Sequence, residues 1–153
     1  MERDAEARNR LWEVRHDAAL SVGHLRPGTK LKATDVCVPL SEIAGAVRMS
    51  REAVERRGLY AALMGHVGDG NCHLVICVDP DDPAAVAAAE AVNDEVVRYA
   101  LERGGTCSGE HGIGMGKIGH LAEEHGDALP VMRGIKDVLD PHGIMNPGKV
   151  LTR

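Results

Sequence analysis

The chain has 153 residues, 44% of them hydrophobic, which is enough for one domain with its own core or for a large piece of a bigger protein. It contains no phenylalanine, one tryptophan and two tyrosines, so the core must be aliphatic and aromatic platforms for stacking nucleic-acid bases are lacking. The net charge of −5 also argues against a nucleic-acid partner.

Hydropathy and cysteine usage predict a soluble cytoplasmic protein with reduced thiols. No apolar run reaches the roughly 18–20 residues that span a bilayer, and the charged stretch Met1–Arg10 has the pattern of neither a signal peptide nor a transit peptide. None of the four cysteines belongs to a CxxC pair. Three of them (Cys37, Cys72 and Cys77) lie in apolar, strand-like runs, which favours buried free thiols over disulfides or zinc ligands.

The N-terminal pattern predicts an amphipathic helix over Met1–Leu20, because apolar residues recur there at helical spacing. Arg15 lies close to the apolar stripe of this helix, which makes it a candidate anion-binding residue. An ordinary arginine that extends its charge into solvent is the alternative. The next stretch, Leu25–Lys32, contains Arg-Pro-Gly and predicts a turn with two solvated lysines.

The middle of the chain predicts alternating strands and helices, with glycines and prolines at the boundaries. The expected elements are a strand at Thr34–Val38, a helix from Ser41 to Arg57, strands at Tyr60–Val67 and Cys72–Val78, and an alanine-rich helix from Pro83 to Arg103. This order is most of a split βαβ unit, in which a sheet packs helices on one face. Thr106–Ser108 is expected to replace the last strand. A helix over Gly119–Asp140 and a turn at Asn146–Lys149 follow.

The stretch Gly65–His73 carries the strongest chemical signal. Two histidines flank a Gly-Asp-Gly-Asn turn, and a reversal there would bring His66 and His73 close together. Two neutral imidazoles make half of a metal site, and Glu110 would add a carboxylate ligand. The alternative is a pair of surface histidines beside a loop.

The second motif is the glycine-rich stretch Gly109–Lys117. It lacks the Walker spacing of a phosphate-binding loop and falls short of a dinucleotide-binding fingerprint. It fits a loop that passes close to a planar ligand or another domain, although a purely structural loop stays open. If the segment is extended, Glu110 and His111 point in opposite directions, with Glu110 towards the histidine pair and His111 towards a substrate or cofactor.

Two histidines and one carboxylate leave positions open for an exchangeable ligand, such as the oxygens of a small hydroxy acid. A metal would lower the pKa of the substrate hydroxyl, and His111 could accept its proton as a general base. The hydride from the same carbon needs a flavin or nicotinamide that this chain does not supply.

These residues resemble the C-terminal part of FAD-linked oxidases of the D-lactate dehydrogenase and glycolate oxidase (GlcD-like) type, a family that includes D-2-hydroxyglutarate dehydrogenase. The matching stretches are Leu11–Arg15, Ala33–Pro39, Gly65–His73, Gly104–Lys117 and Leu139–Leu151. The resemblance implies an α+β fold with a ferredoxin-like antiparallel sheet and packed helices, the second half of a cap domain. Residues 1–118 would form the cap part, and residues 119–153 a C-terminal helix and a tail that contacts the flavin.

The same resemblance implies roles for single residues. His66, His73 and Glu110 would bind a divalent metal, with zinc or manganese expected and iron(II) also compatible. His111 would be the catalytic residue near the flavin. Arg15 would hold the substrate carboxylate, and Asn146 would pack against FAD.

Three positions depart from the family pattern. Cys72 stands where phenylalanine or leucine is usual, a change that would loosen packing. Val75 and Ala19 stand where the hydroxyglutarate enzymes have asparagine and threonine, and both favour a short aliphatic hydroxy acid, such as D-lactate or glycolate, over a diacid.

The expected partners are the small hydroxy acid and an FAD-binding domain, which is missing here or is a separate chain. The sheet edge that the first half of a cap would cover predicts a tendency to form homo-oligomers, and contact with a membrane surface or an electron carrier is compatible with the family. Two other functions stay open. One is a free-standing metal-binding or interaction module, and the other is a metal-dependent hydrolase with Asp69 as its acid.

Overall fold

The computed structural model describes residues 4–151, apart from the side chain of Ala19. The helices are α1 (Ala5–Ser21), α2 (Ile43–Arg56), α3 (Pro83–Glu102), α4 (Ile118–His125) and α5 (Leu129–Leu139). The strands are β1 (Lys30–Ala33), β2 (Val36–Cys37), β3 (Tyr60–Met64) and β4 (Asn71–Val78). Short 3-10 turns occupy Val22–Leu25, Leu40–Glu42, Val67–Asp69 and Gly126–Ala128.

The sheet is antiparallel and β4 is its central strand. One edge of β4 pairs with β3, from Tyr60 opposite Cys77 to Met64 opposite His73. The other edge pairs first with β1 and then with β2 in one continuous register. A bridge between residues 37 and 106 adds a single pair outside β2, at the place where a substitute for the last strand was expected.

A two-residue interruption, Thr34 and Asp35, separates β1 from β2. The Thr34 amide donates to the Leu74 carbonyl at 2.8 Å, and the Leu74 amide donates to the Thr34 hydroxyl at 2.9 Å. The threonine side chain thus replaces a backbone acceptor, and the backbone can depart from the ladder without leaving a buried amide unpaired. Asp35 lies in this gap, at the level of His73.

Helices α2 and α3 cover one face of the sheet and form the core with it. The fully buried side chains of α3 include Ala89, Val92, Val97 and Ala100, and they pack in one cluster with the strand residues. All buried members of this cluster are aliphatic residues or cysteines, which confirms the predicted aliphatic core. Asp82 caps α3 by accepting from the Ala84 amide at 2.9 Å, ahead of Pro83 at the first helical position.

The predicted hairpin and its two flanking helices are confirmed, with small differences at the ends. Helix α2 begins two residues after Ser41, because Leu40–Glu42 forms a 3-10 turn first. Of the strand predicted at residues 34–38, only Val36 and Cys37 form a strand, β2. The turn predicted up to Lys32 is wrong in its second half, since β1 begins at Lys30. Lys32 is not a solvated charge but an ion-pair partner of Glu90 on α3.

The two end regions are helical as predicted, but most of their large apolar side chains are exposed, so the apolar stripe expected of an amphipathic helix is not buried in the described part of α1. In α1, Leu11, Trp12 and Val14 keep 62%, 50% and 70% of their surface. In the C-terminal region the 3-10 turn divides the predicted helix into α4 and α5, and Ile135 and Val138 of α5 are also exposed. The predicted N-terminal helix also included Met1, Glu2 and Arg3, which lie outside the described residues. No helix between residues 4 and 151 has both the length and the apolarity that crossing a bilayer requires.

Candidate active site

A cavity of about 450 Å³ lies against the face of β4 that α2 and α3 do not cover. Its polar wall consists of Arg15, His66, His73, Glu110 and His111. Its apolar wall includes Ala18, Leu20, Leu31, Ala33, Met64 and Val75. Five of the six residues that the sequence singled out therefore share one cavity.

The turn between β3 and β4 places the two histidines. His66 comes directly before the 3-10 turn and His73 lies on β4. Gly70 has φ 79°, and a Cβ there would lie 2.0 Å from the Val38 carbonyl oxygen, so only glycine fits. The Asn71 side chain donates to the Val36 carbonyl at 3.2 Å and accepts from the His66 amide at 3.4 Å. These bonds fix His66 relative to the strand.

The carboxylate of Glu110 lies between the two histidines. Its Oε1 is 2.9 Å from Nε2 of His73, and its Oε2 is 3.7 Å from Nε2 of His66. Nitrogen and oxygen ligands of one divalent ion, each about 2.0–2.2 Å from it, are separated by roughly 3–3.5 Å. The two imidazoles and the carboxylate thus have the donor types of a divalent-metal site, with the contact to His73 slightly shorter and the contact to His66 slightly longer than this range.

Both ring nitrogens of His73 lie beside hydrogen-bond acceptors. Nδ1 lies 3.2 Å from the Thr34 carbonyl oxygen and 3.3 Å from Oδ1 of Asp35. Both neighbours are acceptors, and Nε2 faces a third acceptor, the Glu110 carboxylate. A metal ion on Nε2 would require the proton of the neutral ring on Nδ1, where the Thr34 carbonyl and Asp35 could accept it.

His111 lies beside His73 at the mouth of the cavity. The two rings are stacked, with centroids 4.8 Å apart and planes inclined by 21°. Nε2 of His111 is 3.7 Å from Oε1 of Glu110, and half of the side chain is exposed. The prediction that Glu110 and His111 point in opposite directions is wrong, since both line the cavity. The segment is not extended, because the amides of both residues turn towards a single carboxylate, that of Asp35.

Asp35 is a buried residue beside the cavity that the sequence did not single out. It is 1% exposed and accepts hydrogen bonds from Asn71, Ser108 and Lys117 as well as from the two loop amides. Burial opposes ionisation, but the bond from the His111 amide and the Lys117 charge outweigh it and lower the pKa of Asp35 to about 2. An acidic residue inside a predicted strand was the available signal, because a buried charge must have partners.

A second group of donor atoms, from Asp35, His73 and His111, also lies within 4.8 Å. The oxygens of Asp35 are already occupied by these hydrogen bonds, however, so Asp35 is poorly placed to bind a metal. His73 with His66 and Glu110 is the alternative set, and all three of these residues line the cavity.

Arg15 reaches the cavity from α1. Its guanidinium lies 5.2 Å from the centroid of the Trp12 ring on the same helix. Helix α1 continues into the 3-10 turn of Val22–Leu25. Val22 is buried against Val75 and Cys77 on the face of β4 that α2 and α3 do not cover, called the open face below. This junction directs the end of α1 across the cavity.

Comparison with known proteins gives the family. Residues 1–150 match the family described as "FAD linked oxidases, C-terminal domain". The chain belongs to this family. The resemblance inferred from the motifs is thereby confirmed.

Curated relatives in the family are longer than this chain. It is 46% identical to "Probable D-lactate dehydrogenase, mitochondrial" of Danio rerio over 149 residues, which are 97% of this chain and 30% of the relative. It is 41% identical to a mitochondrial D-lactate dehydrogenase of Arabidopsis thaliana, with 97% and 26% covered. It is 33% identical to "Glycolate oxidase subunit GlcD" of Escherichia coli, with 95% and 29% covered. The chain thus spans between 26% and 30% of the length of these relatives.

A solved structure shares the fold. The 4-ethylphenol oxidase of Gulosibacter chungangensis, in its isoeugenol complex, superposes with a TM-score of 0.68 and 19% sequence identity. The match covers 97% of this chain and 31% of that one. It confirms the predicted α+β fold with an antiparallel sheet. The division of the chain at residue 118 stays a prediction.

The other residues that the family resemblance singled out lie in different parts of the structure. Asn146 does not line the cavity; it lies in the C-terminal tail with φ 46°. The tail is joined to the glycine loop by the Val150 amide, which donates to the Gly114 carbonyl at 2.7 Å. Val75 lines the cavity, as its proposed part in substrate choice requires, whereas the Ala19 side chain lies outside the described residues.

The four cysteines are free thiols, as predicted. Cys72 is fully buried in the core, and burial raises its pKa. Burial, together with the neighbouring Glu124, raises the pKa of Cys107 to about 12. Asp69, the acid that a hydrolase would need, is exposed in the turn and does not line the cavity.

Proposed function

We propose that this chain supplies the substrate-binding and metal-binding part of an FAD-dependent dehydrogenase that oxidises a D-2-hydroxy acid to the 2-oxo acid. The observation that carries the proposal is the cavity, which combines one guanidinium, three imidazoles and a carboxylate with apolar walls. The names of the relatives, D-lactate dehydrogenase and glycolate oxidase subunit, support the same class of reaction.

The walls of the cavity favour a short monocarboxylate. Arg15 is the one lysine or arginine among residues 4–151 that lines it, and it suits a single substrate carboxylate. Leu31, Ala33 and Val75 surround the space where the rest of the substrate would lie. A second carboxylate would find no cationic partner there, so D-lactate or glycolate fits better than a diacid.

His66, His73 and Glu110 would hold a divalent metal, zinc or manganese, which when bound polarises the substrate hydroxyl as a Lewis acid. FAD, held mainly by an FAD-binding domain in the same or another chain, would accept the hydride.

The side chains of this chain have separate parts in the reaction. Arg15 binds the carboxylate and so orients the hydroxyl-bearing carbon. His111 accepts the hydroxyl proton on its exposed ring nitrogen. The apolar wall keeps water away from that carbon. Asn146 lies outside the cavity, where its strained loop is proposed to pack against the flavin.

The first test is calorimetric titration of the chelator-stripped chain with zinc and with manganese. We expect one ion per chain. In His73→Ala the affinity should fall by more than roughly 100-fold, which is above the loss typical of an outer-shell residue.

His142→Ala is the matched control, since His142 is exposed and does not line the cavity. Its zinc affinity should equal that of the unmodified chain. Unchanged zinc binding in His73→Ala would contradict the metal site.

A further inference from the structure

One buried carboxylate, that of Asp35, is surrounded by hydrogen-bond donors. The Asn71 side chain donates to it at 3.0 Å, the Glu110 amide at 3.1 Å and the His111 amide at 2.9 Å. Lys117 donates from Nζ at 3.2 Å, and also at 2.7 Å to the Asp35 carbonyl. Each contact uses a lone pair of an oxygen, so the position requires an acceptor on both oxygens.

These donors come from the two segments that carry the proposed metal ligands. Asn71 belongs to the turn that holds His66, and the two amides belong to the loop that holds Glu110 and His111. Asp35 also lies 3.3 Å from Nδ1 of His73. A single side chain is therefore connected, directly or through Asn71, to His66, His73, Glu110 and His111, although it does not itself line the cavity.

The approach of the loop to Asp35 depends on Gly109. A Cβ at this position would lie 2.0 Å from Nδ2 of Asn71 and 2.7 Å from Oδ1 of Asp35. The loop can thus reach the carboxylate only with glycine there, which explains part of the glycine content of the motif.

We propose that Asp35, neutralised by Lys117, is a positioning residue for the metal site. It keeps the proton of His73 on Nδ1, which leaves Nε2 free for the metal. It also curls the loop so that the side chains of Glu110 and His111 both enter the cavity. The proposal rests on the proposed metal site.

A second carboxylate in the chain provides a matched control. Asp140 is also buried, and it accepts from two consecutive amides, those of Ile144 at 2.9 Å and Met145 at 3.0 Å. It is also paired with a lysine, Lys136. The arrangement repeats that of Asp35 but lies in the C-terminal tail, away from the histidines. Asp140→Asn therefore disturbs the same kinds of bond without touching the cavity.

The test compares zinc affinity, measured by calorimetry, in Asp35→Asn and Asp140→Asn. In Asp35→Asn an amide group faces other donors, so the loop loses an anchor and the affinity should fall roughly 10- to 100-fold. Asp140→Asn should leave the zinc affinity unchanged, while its thermal midpoint of unfolding should fall by about as much as that of Asp35→Asn. A merely structural Asp35 would lower the midpoint and leave the zinc affinity unchanged, which would overturn the proposal.

The tautomer of His73 is a second readout that needs no metal. Nitrogen-15 NMR of the metal-free chain at mildly alkaline pH should show His73 protonated on Nδ1, with a shift towards the other tautomer in Asp35→Asn. If the unmodified chain binds no zinc, the metal site is wrong, and the NMR comparison still decides the role of Asp35. The same tautomer in both proteins would then overturn it.

If Asp35→Asn does not fold, Lys117→Gln replaces it, because glutamine keeps a donor and removes the charge that holds Asp35. Zinc affinity should then fall by a smaller factor, roughly three- to tenfold, below the range for a lost outer-shell residue. An affinity equal to that of the unmodified chain would overturn the proposal.

Discussion

The two faces of strand β4 have different chemistry although all eight of its residues are buried. The side chains of Cys72, Leu74, Ile76 and Val78 belong to the main core under α2 and α3. Those of Asn71, His73, Val75 and Cys77 lie on the opposite face. Asn71 and His73 make polar contacts with residues 34–36, and Val75 and Cys77 pack against Val22, whose carbonyl also accepts from the Cys77 thiol. The difference shows how a small domain holds a polar site rigidly, since the strand is fixed from behind by apolar packing.

The two faces should therefore respond differently to substitution. Burial of apolar surface stabilises the helix-covered face, so changes there should lower the free energy of unfolding. Hydrogen bonds and charge arrange the open face, so changes there should alter ligand binding more than stability. Substitutions on each face test this difference.

The largest effect on stability is expected for Ile76→Ala, on the helix-covered face. Ile76 is 0% exposed, and its truncation leaves a cavity that should lower the free energy of unfolding by about 2–5 kcal/mol. Urea denaturation followed by circular dichroism measures this loss. Leu40→Ala, at a side chain that is 59% exposed, should stay within about 0.5 kcal/mol of the unmodified chain. Equal losses in the two variants would contradict the assigned core.

A smaller effect, on binding alone, is expected for Arg15→Met on the open face. Loss of a charged hydrogen bond to the substrate carboxylate costs about 1.5–3 kcal/mol, so D-lactate should bind the zinc-loaded chain roughly 10- to 100-fold more weakly. Calorimetry measures this affinity, and stability should not change because α1 is exposed.

Arg10→Met serves as the control on the same helix, since Arg10 pairs with Glu6 and does not line the cavity. D-lactate affinity that falls equally in both variants would refute a specific role for Arg15. Zinc binding without any D-lactate binding in the unmodified chain would favour the metal-binding module over the dehydrogenase.

The smallest effect is expected for Glu95→Gln, in the helix layer behind the sheet. Glu95 on α3 is paired with Arg57 and, at 2.7 Å, with Arg56 at the end of α2. Its hydrogen bond to Arg57 holds the pKa of Glu95 below its usual range. The pair therefore stabilises the fold above the unfolded pKa of the carboxyl, and this contribution disappears as the pH falls through the lower, folded value.

Urea denaturation at about pH 7 should show a loss of at most about 1 kcal/mol in Glu95→Gln, and the loss should shrink as the pH falls below the usual pKa of a glutamate. A loss that is the same above and below that pKa would mean that the charge of Glu95 is not responsible.

Much of the site could be predicted because its signals are local. The glycine turn required His66 and His73 to come together, and the structure shows them on either side of one carboxylate. Asp35 could not be found in this way, because its donors are the amides of Glu110 and His111, 75 and 76 positions away. No local pattern shows which distant amides will satisfy a buried charge.

The errors in the predicted fold have the same origin. Lys30 and Lys32 resembled a solvated turn, although Lys32 is paired with Glu90 of a helix that begins some 50 residues later. In α1 and α5, helical periodicity predicted the helices correctly. It could not tell whether another element covers their apolar side chains, because that depends on tertiary neighbours.

The position of Arg15 has a consequence for how the family can diversify. The proposed metal ligands are attached to a packed strand and a tightly bonded loop, where most changes destabilise the protein. Arg15 and Ala18 extend from an exposed helix, where substitutions cost little stability. Substitutions along α1 would therefore change the proposed substrate specificity while the proposed metal ligands stay the same. Differences in substrate among homologues should accordingly be concentrated on this helix and at the position of Val75.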